Sequence, residues 1–304
     1  MPANRRLKWI GFAAATGATI IWSGNIIVAR AMNQVIEPAT LSAFRWAIAC
    51  LALIPFAWRG LIAERNILKK NFGYLSAASF LGVTLFNSLL YMAAHTTSAV
   101  NISLIAISSP IFIVILARVF LKEHITLSKA GGMCLAVLGV LILASEAEPA
   151  VILNASFAAG DAWMLFASLI FAGYSVLVGK KPSELGSCTF LLSTFLLGLL
   201  MLLPWTLAEI ILKGLPEFSM KVVGSLLYIG LGAALVAYAL WNKAIETVGP
   251  SASGLIYYTL PLFSGLAAFV ILDEPLGLIH LFSGFLIVGG IMIAAGINSS
   301  SRTA

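Results

Sequence analysis

Residues 93–124, AAHTTSAVNISLIAISSPIFIVILARVFLKEH, and residues 244–275, AIETVGPSASGLIYYTLPLFSGLAAFVILDEP, are two versions of one pattern. Each opens on a short polar turn and runs into a helix start rich in small residues. Each then places a proline thirteen residues before a glutamate, Pro110 before Glu123 and Pro261 before Glu274, at an offset of 151. A second set, Gly11 and Gly24 against Gly160 and Gly173, repeats at an offset of 149. Self-similarity at half the chain length marks an internal duplication, with one repeat at 1–148 and the other at 149–304.

The two stretches are largely apolar, and so is the whole chain. Of 304 residues 61% are apolar and 10% charged, against about a quarter charged in soluble domains. A water-soluble fold of this composition would expose large sticky patches, whereas helices in lipid need no polar coat. Ten segments approach the roughly 20 apolar residues that cross a bilayer. They lie near 9–29, 40–58, 72–93, 98–120, 129–145, 158–179, 188–208, 221–243, 250–271 and 279–297. Short connections make consecutive segments antiparallel neighbours. Five segments per repeat is an odd number, so the second repeat enters the membrane upside down. The expected fold is an all-α membrane protein with ten transmembrane helices as two inverted five-helix repeats. In such a fold the solute site lies near the midplane, between the halves.

Basic residues gather between the apolar segments: Arg5, Arg6 and Lys8; Arg59, Arg65, Lys69 and Lys70; Lys122 and Lys129; Lys180 and Lys181. With both termini in the cytoplasm, that side collects fourteen Lys and Arg against four acids, and the outer side three against eight. This is the positive-inside pattern, and it orients the chain with both termini cytoplasmic. It also accounts for the net charge of +6 without a nucleic-acid partner, which would need the charge on one water-facing surface. The apolar run after the basic N-terminus is long and lacks a small-residue cleavage site, so it reads as a first span rather than a removed signal. Cys50, Cys134 and Cys188 fall inside apolar segments without CxxC spacing and read as small hydrophobes.

Each Pro-x12-Glu helix is followed by a glycine-rich one, Gly131-Gly132 through Gly139 and Gly284 through Gly289-Gly290. These occur with Trp22-Ser23-Gly24-Asn25 in the first span and Arg45 early in the second. Jointly the features resemble the ten-helix EamA branch of the drug/metabolite transporter superfamily, over essentially the whole chain. The resemblance implies a secondary transporter, with export as its direction. The aromatic-rich segments resemble in particular the bacterial aromatic amino-acid exporters of that family. Arg45 departs from the repeat, because the second half has the neutral Ser193-Thr194 in its place.

The repeat also locates a pathway. Polar side chains within apolar helices are costly in lipid and face the bundle interior or a wet cavity. Asn25 aligns with Tyr174, Asn87 with Tyr238 and Tyr91 with Asn242, so three positions carry hydrogen-bonding groups in both halves. Asn87 and Tyr91 share one helix face at a spacing of four, as do Tyr238 and Asn242. These faces are expected to look at each other across a central cavity, joined by Trp22, Trp163 and Tyr258. Bland readings stand beside these: Trp163 as an interfacial belt aromatic, Tyr257 or Tyr258 as gap fillers, Asn101 as interhelical glue, His95 as solvated and Arg45 as snorkelling. Pro110 and Pro261, in the middle of the fourth and ninth spans, each remove a helix hydrogen bond and are candidate hinges or static kinks.

Other chemistry finds no purchase. The nearest phosphate-loop likeness, Gly173 to Gly179-Lys180-Lys181, has its glycines one residue too far apart and lies in a span, so ATP is not a partner. No HExxH, histidine cluster or paired intramembrane carboxylate suggests a metal, a cofactor or an enzyme. Asp273-Glu274 sit at a span end, and Asn154-Ala-Ser fits a glycosylation acceptor that is common by chance. The expected partners are the lipid bilayer and a small-molecule substrate. A lining of rings, amides and hydroxyls suits a neutral or zwitterionic metabolite, with aromatic and other neutral amino acids ahead of other metabolites or drugs. An integral-membrane enzyme is the disfavoured alternative of another class.

Overall fold

The computed structural model describes residues 2–97, 99–145, 158–272 and 277–296. Every regular element among them is helical. The first half contains α1 (Pro2–Met32), α2 (Pro38–Ala63), the short α3 (Arg65–Lys70) and α4 (Phe72–Thr96). It continues through α5 (Ala99–Ala106), α6 (Ser108–Phe120) and α7 (Leu127–Ala144). The second half contains α8 (Ala159–Gly179), α9 (Ser187–Lys213), α10 (Met220–Val248), α11 (Pro250–Ile256), α12 (Leu260–Leu272) and α13 (Leu278–Ala294).

Seven of these helices are long and apolar enough to cross a membrane: α1, α2, α4, α7, α8, α9 and α10. The fourth and ninth expected spans are instead interrupted, and α13 has 17 residues. The cause is proline chemistry. Pro110 is the third residue of α6 and Pro261 the second of α12. A residue without an N–H is tolerated in a helix's first turn, where no intrahelical acceptor is waiting for it. Each proline therefore sits just after an irregular turn, at Ile107 and at the 3-10 turn Tyr257–Thr259, which interrupts the hydrogen-bond ladder while the backbone stays right-handed helical. Glu274, Asp273, Asn154 and the 148/149 boundary lie outside the described residues.

The packing exchanges the two halves. Helix α1 packs on α10 as α8 packs on α4; α2 packs on the middle of α10 as α9 packs on the middle of α4. The counterparts α2 and α9 pair with each other, as do α7 and α13. Both counterpart pairs run antiparallel. Glu209, late in α9, accepts from the Ala39 and Thr40 amides at the start of α2 (3.0 and 2.7 Å), and Glu64, just past α2, accepts from the Gly186 amide at the start of α9 (2.9 Å). Likewise Ser128 near the start of α7 donates to the Ile293 carbonyl near the end of α13 (2.9 Å). Carboxylates fit these places because the first amides of a helix lack intrahelical acceptors and its N-terminal end is electropositive.

Small residues let the backbones approach, as is common between helices in lipid. A Cβ on Gly160 of α8 would stand 2.6 Å from the Ala93 carbonyl oxygen of α4, and one on its counterpart Gly11 would stand 2.7 Å from Val248 at the end of α10. The outer surface carries exposed Leu51, Phe56, Leu127, Ile211 and Phe285, while polar side chains such as Asn25, Arg45, Asn87 and Asn242 are buried. That is the inside-out distribution lipid favours.

Candidate functional site

The centre of the bundle is organised by two wide turns that hydropathy does not reveal. Phe80–Leu85 in α4 and Tyr228–Val236 in α10 are π-helical segments, at equivalent places in the two repeats. Such segments upset the regular i→i−4 ladder and often mark functional sites. In each, a carbonyl at the same repeat position receives side-chain donors. Tyr238 donates to the Gly82 carbonyl (2.7 Å), and Trp22 Nε1 and Arg45 Nη2 donate to the Ala233 carbonyl (2.9 and 2.7 Å). Gly82 and Ala233 are 151 residues apart, the offset of the duplication. Gly82 is needed here, since a Cβ would run into the Tyr174 ring.

The aligned Asn and Tyr positions come together as three contacts. The Asn87 amide donates to the Tyr238 hydroxyl at 3.0 Å, joining one position to its own counterpart. Flanking it, Tyr91 donates to Asn25 Oδ1 at 3.3 Å in the first half, and Tyr174 donates to Asn242 Oδ1 at 3.0 Å in the second. The flanking bonds are equivalent under the repeat, with amide and phenol exchanged. All six side chains are buried. The expected facing of α4 and α10 is present, but the Asn87 and Tyr238 side chains touch rather than line opposite walls of a cavity.

Aromatic rings surround this polar centre. Trp22 has its ring centroid 5.4 Å from Phe171, 5.6 Å from Tyr238, 5.3 Å from Trp241 and 6.1 Å from Tyr257. Trp46 stands edge-on to Tyr238 at 5.0 Å. Edge-to-face contacts at these distances are favourable beyond the area they bury.

Two of the expected lining residues are elsewhere. Trp163 points outward on α8 and is 40% exposed, because the outer half of that helix buries only the stripe through Gly160, Met164 and Ala167. Tyr258 is buried with an unpartnered hydroxyl, but the ring that joins Trp22 and Phe171 is its neighbour Tyr257. The residue most underrated by sequence is Arg45. It is fully buried, with Nη1 donating to Asn25 Oδ1 (2.9 Å) and Tyr91 (2.8 Å). Depth could have signalled this, since Arg45 is the eighth residue of α2, roughly 10 Å along the axis at 1.5 Å per residue, with a long side chain to add.

Among the described residues no group of three His, Cys, Asp or Glu side chains is placed to hold a metal. At the two ends of the centre sit further paired contacts. Arg30 at the end of α1 donates to the Ala94 carbonyl (2.6 Å), and Lys181 just past α8 pairs with Glu246 (2.7 Å). Asp161 of α8 accepts from Thr97 and Asn101.

Comparison with known proteins agrees with this architecture. The profile of the EamA-like transporter family matches residues 9–145 and 158–296, one copy per half. The chain is 23% identical over 297 residues to the uncharacterized transporter YyaM of Bacillus subtilis, covering 97% of this chain and 94% of that one. It is 25% identical to an uncharacterized transporter of Archaeoglobus fulgidus, covering 91% and 92%. It is 24% identical to a probable terminal-alkyne amino-acid exporter of Streptantibioticus cattleyicolor, covering 84% and 83%. A solved crystal structure superposes with a TM-score of 0.71 at 17% identity, covering 98% of this chain and 99% of that one.

Proposed function

The chain belongs to the EamA-like transporter family and is an integral-membrane transporter, and from that premise we propose that it exports small neutral or zwitterionic metabolites by alternating access. The proposed cargo is aromatic and other neutral amino acids. The proposed topology is ten spans in two inverted halves, in a bacterial inner membrane with both termini cytoplasmic. The antiparallel pairing of counterpart helices supports the inversion, and in that topology the interrupted helices α5–α6 and α11–α12 would be the fourth and ninth spans.

The observation that carries the cargo is the buried centre itself. Three amide–phenol contacts, related by the repeat, sit inside a shell of Trp22, Phe171, Trp241 and Tyr257. Amides and phenols recognise both ends of a zwitterion, and rings stack on an apolar side chain. The amino-acid exporter among the relatives is consistent with this class. Alternating access would part the central contacts and the Arg30–Ala94 and Lys181–Glu246 closures in turn. The breaks before Pro110 and Pro261 are the proposed hinges.

The test is flux. Purified protein in liposomes is given labelled phenylalanine, tryptophan, threonine and alanine, with and without a proton gradient. Saturable movement of phenylalanine or tryptophan is the expected result. Liposomes that leak none of the four faster than protein-free controls would remove the amino-acid assignment.

A further inference from the structure

Arg45 is a full positive charge at 0% exposure, and its surroundings do not neutralise it. Its acceptors are Asn25 Oδ1, the Tyr91 hydroxyl and the Ala233 carbonyl, all uncharged. Its Nε has no partner. Among the described residues the ion pairs are Lys129–Glu123 and Lys181–Glu246, both at helix ends, and no carboxylate pairs with Arg45. An unpaired ion held out of water carries a penalty of several kcal/mol even after relaxation. Buried charges are therefore normally matched by an opposite charge.

A purely structural role does not account for the charge. The second half builds the equivalent flanking bond, Tyr174 to Asn242, with no guanidinium donating to its amide oxygen as Arg45 does to Asn25. At the counterpart of Arg45, Ser193 and Thr194 hydrogen-bond to their own helix. The fold thus makes the same amide–phenol pair with and without a guanidinium. What differs is that one half of the centre is positive.

Two more orphans lie in the same centre. Tyr238 spends its proton on the Gly82 carbonyl, so its oxygen accepts from the Asn87 amide, which fixes the orientation of Asn87 and leaves Asn87 Oδ1 as a bare acceptor. On the other side, Asn242 Nδ2 is a bare donor. An unmatched cation, an unmatched acceptor and an unmatched donor describe the complement of a ligand that has an anionic group and an N–H donor. We propose that Arg45 receives the carboxylate of the transported solute, through its Nε edge, while Asn87 Oδ1 accepts from the solute's ammonium. A guanidinium edge suits a carboxylate because two parallel N–H donors match its two oxygens. Trp46, with Arg45 over its ring at 5.3 Å, and the acceptors on Nη1 hold the guanidinium in place before the ligand arrives. The proposal rests on the reading of this centre as the solute site, and it narrows the cargo to carboxylates, excluding amines and neutral amides.

The test uses the full-length protein in detergent or nanodiscs, with thermal stabilisation as the binding readout. The probes are phenylalanine, 3-phenylpropionate, phenylalaninamide and phenethylamine. The expected order puts phenylalanine first and phenylpropionate next, with the amide and the amine about 10- to 100-fold weaker, as for the loss of one charged hydrogen-bonded contact. In R45Q the ratio of phenylalanine to phenylalaninamide should fall towards one, with R45K between; a loss of packing alone would weaken both probes alike. Equal stabilisation of the wild type by acid and amide overturns the carboxylate assignment, and this comparison does not depend on any variant folding. Amino acids and their amides moved alike in liposomes would leave the transport reading standing without this inference. Stabilisation by phenylpropionate with no amino-acid flux would do the reverse. No shift with any carboxylate overturns it.

Discussion

Replacing Tyr238 with phenylalanine removes one oxygen from the point where the two halves meet. That oxygen donates to the Gly82 carbonyl at 2.7 Å and accepts from Asn87 at 3.0 Å, and it is buried. The ring contacts to Trp46 at 5.0 Å and to Trp22 at 5.6 Å are kept by phenylalanine, so little packing is lost. Two hydrogen bonds at about 0.5–1.5 kcal/mol each give an expected cost of about 1–3 kcal/mol. The Asn87–Tyr238 term can be isolated by a cycle with Asn87→Leu. Interhelical hydrogen bonds within membranes average about 0.6 kcal/mol by such cycles and reach about 1.7. A coupling inside that interval is expected, because both groups are buried between the helices. The assay is reversible unfolding in mixed micelles titrated with a denaturing detergent, on the wild type, both single variants and the double. Strict additivity of the two substitutions, or an unchanged midpoint for Tyr238→Phe, would refute the claim that the halves are joined by this contact.

Other predictions concern the seams and the breaks. Gly132→Leu should lower thermal stability by about 1–3 kcal/mol or more through overpacking, because its Cβ would stand 2.5 Å from the Ala294 amide nitrogen of α13. Gly131→Leu is the control, with nothing within 4 Å of its Cβ, and should melt with the wild type. Glu209→Ala strips the acceptor from the Ala39 and Thr40 amides, whose own N-cap residue Glu37 makes no side-chain cap bond. A destabilisation of about 0.5–2 kcal/mol is expected, as for other lost caps, and is read by the same unfolding titration. Pro110→Ala with Pro261→Ala lets α5–α6 and the segment leading into α12 close into continuous helices. One restored backbone hydrogen bond at each break, at about 0.5–1.5 kcal/mol, gives about 1–3 kcal/mol for the pair, which would slow exchange about 5- to 150-fold while leaving substrate affinity unchanged, as measured by flux and binding on one preparation.

Much of this arrangement was legible before any coordinates. The offset of 151 picks out Asn87 and Tyr238, which are hydrogen-bonded, and with the offset of 149 in the first span of each half it aligns Asn25–Tyr91 with Tyr174–Asn242, which make equivalent bonds. A duplication carries that information because both copies must satisfy the same buried positions. The π-helical segments were not legible, since the pitch of a helix leaves no mark on hydropathy and residues Phe80–Leu85 read as an ordinary span. The prolines are legible as interruptions of the fourth and ninth spans, whereas the 3-10 form of the turn at Tyr257–Thr259 is not, since it too is a change of pitch. Trp163 is eleven residues before Tyr174, nearly the same helix face, yet it is exposed and Tyr174 is buried. Periodicity fixes a direction around one helix; how far neighbouring helices cover that direction changes along its length. Arg45 reads from sequence as early in its span and able to snorkel, but its helix begins at Pro38 and its side chain reaches inward to Asn25 and Tyr91.

The central claim is that the paired amide–phenol centre is the path of the solute. The direct measurement is the initial rate of labelled phenylalanine exchange in liposomes, comparing the wild type with Asn87→Ala, Tyr91→Ala and Tyr238→Ala combined. Only variant protein that elutes as the wild type does and keeps its helical content is scored. The account predicts loss of at least tenfold in rate, on the scale of 1.4 kcal/mol or more. Exchange at the wild-type rate in folded triple variant would contradict it.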